Sequence, residues 1–171
     1  MSESERIRPW VEQIARRDLE ARKELLRFAR SISDKAWSLP SPLDGWTCRD
    51  VLAHLAGDTG KWFEHILGSV LHDEPLDAAK FGPGADIDLL NTLDIDARRS
   101  HAVSELLAEI ESDGRKHDEM LSSMTDDHEH HLLAPYSASL GEFLSGKEAG
   151  NRGGHDREHM ANIQAALRGT Q

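Results

Sequence analysis

His155 and His159 stand four residues apart in His155-Asp156-Arg157-Glu158-His159, and His54 lies far upstream between Leu52 and Leu55. On a helix this spacing stacks two imidazoles on one face, about 5 to 6 Å apart. A third imidazole from a neighbouring helix would complete a three-ligand face for a divalent metal. Three neutral imidazoles suit Zn first, with Ni, Fe or Cu also accommodated, and three protein ligands with one open position is the pattern of catalytic rather than structural sites. Water, a substrate oxygen or a thiolate can take the open position, and a bound ion acidifies water and deprotonates a thiol. Ten histidines in 171 residues also give such a spacing by chance, so solvated or core imidazoles are the plain alternative.

Two further residues are expected to line the pocket and bind a cofactor or substrate. Asp58 lies one turn after His54, and Asn151 one turn before His155. Their plainer roles are a solvated charge and a helix cap. Lys61 is expected on the same face as His54, and Asp156 and Glu158 flank the ligands, where either can orient an imidazole or face water. No residue is singled out as acting chemically on substrate. The dense cluster from His128 to His131 falls on an aperiodic connector that does not fix its geometry. Cys48, in the first turn of the second helix, reads as a small buried residue.

Helices must position these groups. Val11, Ile14, Ala21, Leu25, Phe28 and Ile32 recur at three- and four-residue steps and predict a helix from near Pro9 to Lys35. Pro40, Pro42 and Asp44-Gly45 then make an ordered connector. Thr47 with Asp50 three residues later has the form of a capping box, so a second helix starts there. It carries Leu52, Leu55, Thr59, Trp62, Ile66 and Val70 on one stripe and ends before Pro75. The stretch from His72 to Asp86 predicts a loop folded over one end of the bundle, covering a substrate cleft.

A third helical region has two pieces, with Ile87, Leu90 and Leu93 on the first, Val103 through Leu121 on the second, and a break near Ser100 to Ala102. The fourth opens near Ser139 and closes at Gly169. Gly146, Gly150, Gly153 and Gly154 in its middle each cost about 1 kcal/mol in a helix interior. They predict a break or close packing there, with room for something bulky beside His155. No strand-like alternation of useful length is found. The expectation is an all-α, antiparallel four-helix bundle, one domain over 1–171, with the site built from inward-facing side chains.

The net charge of -11 repels phosphate backbones and argues against nucleic acid or anionic lipid as the main partner. A single cysteine rules out an internal disulfide and a cysteine-rich zinc cluster. No apolar run is long enough for a membrane span, and the opening Met1-Ser2-Glu3-Ser4-Glu5-Arg6 lacks the apolar segment of a signal peptide, so a cytoplasmic protein with no membrane partner is expected.

The run Gly45-Trp46-Thr47-Cys48-Arg49-Asp50-Val51-Leu52-Ala53-His54-Leu55, followed about a hundred residues later by His155, His159 and Ile163, resembles the DinB-like superfamily. That superfamily includes the N-terminal domain of mycothiol-dependent maleylpyruvate isomerase and related thiol transferases. The resemblance implies an up-down-down-up four-helix bundle, often a homodimer. It also implies a divalent metal held by one histidine of the second helix and two ligands of the fourth, which are His54, His155 and His159 here. It further implies a low-molecular-weight thiol, mycothiol or bacillithiol, working on a small electrophilic substrate in a transferase or isomerase. Some members place Glu where His155 stands; three histidines leave the site without a carboxylate charge and favour an anionic incoming ligand. The alternatives are a hydrolase using metal-bound water and a non-catalytic, stress-related metal-binding bundle.

Overall fold

The computed structural model of the chain describes residues 8–43, 45–57, 61–146 and 151–169. Its first long helix, α1 (Pro9–Arg30), begins with proline at a position that needs no N–H and buries Val11, Ile14, Ala21, Leu25 and Leu26 on one face. It stops five residues short of the predicted Lys35. The Ser31 hydroxyl and N–H both bond back to the Phe28 carbonyl, which competes with continuation of the helix. The chain then turns through a short 3-10 segment, Asp34–Ser38, that buries Trp37.

The expected second helix is two helices, α2 (Cys48–Ala56) and α3 (Trp62–Leu71). Thr47 and Asp50 form the full capping box at the start of α2. The interruption falls at Gly57, whose backbone is extended. A Cβ there would lie 2.5 Å from Asp94 Cγ, so only glycine lets the next element come this close. That element is α5 (Ile87–Ala97), which follows the one-turn α4 (Ala78–Phe81) inside the predicted loop. The break expected near Ser100 separates α5 from α6 (Val103–Ser123).

Beyond α6 come α7 (Asp126–Glu129), the two-residue strands β1 (Leu132–Leu133) and β2 (Ala138–Ser139), α8 (Leu140–Ser145) and α9 (Arg152–Arg168). The strands pair antiparallel, Leu132 with Ser139 and Leu133 with Ala138. They are too short for alternation to be read from sequence. The fourth region is indeed broken, with α8 ended at Gly146 and α9 opening at Arg152-Gly153-Gly154.

Side-chain pairs give the helix directions. Asp18 meets His117 and Arg30 meets Glu111, so α1 and α6 run antiparallel. Asp18 accepts from Gly153 N and Glu24 pairs with Arg157, so α1 and α9 run parallel. Lys61 pairs with Asp113 and Glu64 approaches His117, so α3 and α6 run parallel. The result is an all-α bundle of up-down-down-up type. Parallel neighbours cannot be joined by a tight turn, and the chain from His72 to Ala102 is the crossover that links α3 to α6.

Two apolar clusters fill the interior. One gathers Leu25, Val51, Leu52, Leu55, Leu106, Ile110 and Ile163; the other gathers Ile14, Phe63, Ile66, Leu67, Leu121, Met124, Leu140 and Leu144. Along α1 and α6 the residues between these clusters include Asp18, Arg22 and His117, all buried. The bundle therefore carries a polar layer between two apolar ones. Among the described residues no helix is long and apolar enough to cross a membrane.

Candidate metal centre

His54 is in the last turn of α2, and His155 and His159 occupy the first two turns of α9. α2 packs directly on α9, and the three rings converge. His155 Nε2 stands 3.2 Å from His54 Nε2 and 3.2 Å from His159 Nε2. One nitrogen from each ring can be chosen so that all lie within 4.8 Å of one another. Nitrogens bound at 2.0 to 2.1 Å in a tetrahedral arrangement stand about 3.3 Å apart, so the two close spacings match those around one ion.

The rings are dry. Burial pushes His54 down to about 4 and His159 down to about 3, and takes His155 well below the usual imidazole value. Arg152 lowers His54 and His155 further, whereas the side chain of Asn91 beside the His54 ring works against the shift. At neutral pH all three are uncharged, with lone pairs ready for a cation. Trp46 covers His54 at a ring separation of 5.3 Å, and Phe63 meets His155 at 5.9 Å. Nδ1 of His155 and Nδ1 of His159 are buried without a hydrogen-bond partner among the described residues. Packing three imidazoles so closely, with ring nitrogens left unpaired, is costly in a bare core. A bound cation offsets that cost, so the donor set fits a divalent metal.

Beside the histidines lies a charged cluster of which sequence reasoning named only Asp156 for the site. His117 Nε2 is 3.0 Å from Asp18 Oδ2, and its Nδ1 is 3.5 Å from Glu64 Oε1. Arg152 donates to Glu64 Oε1 at 2.8 Å and to Asp156 Oδ1 at 3.1 Å. Asp18 also accepts from Arg17 Nε at 2.7 Å and from the Gly153 N–H at 2.9 Å. Burial would raise the Asp18 carboxyl, but His117 and Arg17 outweigh it and hold it low. Burial dominates at Asp156, which is raised. Burial would lower Arg152, yet Glu64 and Asp156 outweigh it and keep the guanidinium charged. The Arg152–Asp156 pair, four residues apart, was the visible signal, but that spacing usually marks a solvated surface pair.

The other expected residues fall as follows. Asn151 caps α9, its Oδ1 accepting from Gly154 N at 2.7 Å. Asp58 lies outside the described residues. Because the helix breaks at Gly57, Lys61 is carried away from the His54 face and pairs with Asp113 at 2.9 Å. Glu158 faces solvent. Cys48 is fully buried, and burial pushes its thiol up. Gly153 does not leave space beside His155; it lets α9 close onto Arg17 and Asp18 of α1. The His128–His131 stretch forms α7 and its exit, and the described residues offer only the His54, His155 and His159 group as a possible metal set.

Two cavities lie near the segment from Asp73 to Asp86. One of about 500 Å³ is lined by Ser69, Asp73, Glu74, Leu76, Leu133 and Pro135. The other, about 320 Å³, is lined by Glu64, His65, Gly68, His72, Phe81 and Met120. None of the three histidines lines either cavity; the smaller reaches toward them through Glu64, which holds Arg152 one turn before His155.

An all-α up-down-down-up bundle with a histidine trio between its second and fourth helices defines a DinB-like protein. The family model of the mycothiol maleylpyruvate isomerase N-terminal domain matches residues 19–145, well over half of the chain, and the protein belongs to that family. The matched span includes His54 and stops before His155 and His159. No curated protein and no solved structure gives a significant match.

Proposed function

We propose that the protein is a metal-dependent enzyme that uses a low-molecular-weight thiol of the mycothiol or bacillithiol type in a transferase or isomerase reaction on a small electrophilic substrate. In this reading His54, His155 and His159 hold the ion, with Zn the first candidate. The carrying observation is the convergence of three imidazoles from two helices, His54 and His159 buried and His155 half-buried, with Nε2 spacings of 3.2 Å. Family membership supports the thiol.

When bound, a divalent ion supplies the Lewis acidity that makes a thiol a thiolate at neutral pH. The chain's own residues favour that outcome. Three neutral ligands cancel none of the ion's charge, so an anionic incoming ligand is preferred. Trp46 and Phe63 restrict water on two sides of the ring cluster. A homodimer, as the resemblance implies, and the cytoplasmic location expected from the sequence are part of the same reading.

Elemental analysis of protein purified without a polyhistidine tag is the direct test. The wild-type chain is expected to carry a divalent metal, and His159→Ala to lose most of it with its helical circular dichroism intact. Unchanged metal content in His159→Ala refutes the site. Turnover of reactive electrophiles is expected to require added mycothiol or bacillithiol. Equal turnover without a thiol assigns a hydrolase instead.

A further inference from the structure

We propose that Arg152 is a positioning residue for the three-histidine centre: clamped by Glu64 of α3 and Asp156 of α9, it fixes the direction of the first turn of α9 and so the way His155 is presented to the centre. The inference rests on the metal-site reading above and concerns what holds the ligands in register.

The need for such a device follows from where the ligands sit. His155 is only three residues into α9, directly after the N–H groups that have no intrahelical partners and at the helix end, which frays first. His54 ends α2 just before Gly57 breaks the helix, so α2 does not dictate where α3 goes. Each side of the centre is thus a helix end, and helix ends do not place a side chain to a few tenths of an ångström unaided.

The first turn of α9 is tied on three sides. Asn151 Oδ1 takes the Gly154 N–H at 2.7 Å, and Asp18 Oδ1 takes the Gly153 N–H at 2.9 Å, which anchors the turn to α1. Arg152 makes the third tie, to α3. Its Nη1 reaches Glu64 Oε1 at 2.8 Å, its Nε reaches Asp156 Oδ1 at 3.1 Å, and its guanidinium lies 5.9 Å from the Phe63 ring centre. Phe63 in turn touches the His155 ring. The consecutive residues Phe63 and Glu64 therefore both grip the turn that carries a ligand.

Stability alone is a weak reason for this arrangement. Arg152, Glu64 and Asp156 are all buried, and replacing a buried ion pair by uncharged groups of similar size is often neutral or stabilising. A planar guanidinium held through two different nitrogens by two carboxylates does fix direction, which a lysine point charge does not.

The test uses the full chain in two forms, Arg152→Lys and the uncharged triple variant Glu64→Gln/Arg152→Met/Asp156→Asn. Helicity and cooperative melting of the metal-free proteins are measured first. Zn2+ affinity then follows by chelator competition, and the visible absorption of the Co2+-loaded proteins reports ligand geometry. Both variants are expected to fold, to bind Zn2+ about 10- to 100-fold more weakly, and to show an altered Co2+ spectrum. Wild-type Zn2+ affinity and an unchanged Co2+ spectrum in either folded variant overturn the proposal. Failure of both to fold also overturns it, because Arg152 is then a stability determinant. If wild-type protein binds Zn2+ no better than His159→Ala, the metal reading itself falls, which is a separate outcome from a metal site indifferent to Arg152.

Discussion

Two polar regions share the interior of this bundle, and they are built on opposite principles. The histidine trio is uncharged, its nitrogens crowd together, and its outward Nδ1 atoms at His155 and His159 lack partners among the described residues. The adjoining cluster of Asp18, Glu64, His117, Arg152 and Asp156 is charged and cross-linked by hydrogen bonds over four helices. The first crowds uncharged nitrogens at ion-binding spacing, and the second joins opposite charges directly, although Glu64 Oε2, Asp156 Oδ2 and His117 Nδ1 are also buried without a hydrogen-bond partner among the described residues. A buried polar group is therefore not by itself a sign of function; what separates the two regions is that one gathers like, uncharged donor atoms around a point and the other pairs opposite charges.

The largest expected effect tests the charged side. Asp18→Ala removes the acceptor of His117, of Arg17 and of the Gly153 N–H at once. Breaking a buried charged network by removing one partner costs about 3 to 5 kcal/mol. Urea denaturation of the metal-free protein should show a loss of that size. A loss below about 1 kcal/mol would mean that water already serves these groups.

Acid separates the two regions next. The trio's imidazoles have folded values far below the unfolded value of 6.5, so the unfolded chain binds more protons below that pH. Their contribution is present above pH 6.5 and is lost as pH falls toward about 4 for His54 and about 3 for His159. Displacements of this size correspond to about 3 to 5 kcal/mol for His54 and for His159. The metal-free protein should lose stability steeply from pH 6.5 downward, with a shallower slope in His159→Gln. Asp18, held below 3.8, contributes only to the loss at still lower pH. A flat stability profile from pH 7 to pH 4.5 would contradict the dry, uncharged trio.

The same contrast explains what could be read from the chain. The bundle was legible because apolar residues repeat at helical spacing over long stretches, and the pair His155 and His159 because four residues is one helical turn. His54 was legible through its capped, apolar helix. The charged cluster was not, since its members come from positions 18, 64, 117, 152 and 156: Asp18, Glu64 and Arg152 look like solvated surface charges, His117 falls on an apolar stripe, and Asp156 reads only as a neighbour of the ligands until the helices are assembled. The break in the second helix was equally hidden. Gly57 carries no positive φ to betray it; its reason is the tertiary approach of Asp94 from α5. Asn91, which reaches the His54 ring from α5, belongs to the same crossover.

A smaller effect probes the seam between the regions. A Cβ at position 153 would stand 3.0 Å from the Arg17 carbonyl oxygen and 3.0 Å from Asp18 Oδ1. The carbonyl is main chain and cannot rotate away, so α1 and α9 would have to separate. Overpacking costs about 1 to 3 kcal/mol, and the better helix propensity of alanine returns about 1 kcal/mol. Gly153→Ala should be destabilised by about 1 kcal/mol in thermal melts, with Zn2+ binding weakened as His155 moves. A stabilised variant would show that the seam is looser than these distances.

The smallest effect compares two caps of similar strength in different places. Thr47 caps α2 at the end remote from His54, and Asn151 caps α9 within a turn of His155. Losing either cap costs about 1 kcal/mol of stability. Thr47→Ala frays residues that hold no ligand, whereas Asn151→Ala frees the Gly154 N–H next to one. The two variants should therefore melt at similarly lowered temperatures, yet only Asn151→Ala should bind Zn2+ several-fold more weakly in chelator competition. Equal Zn2+ affinities in the two would mean that Asp18 and Arg152 alone hold the turn, and the cap would then matter to the helix and not to the metal.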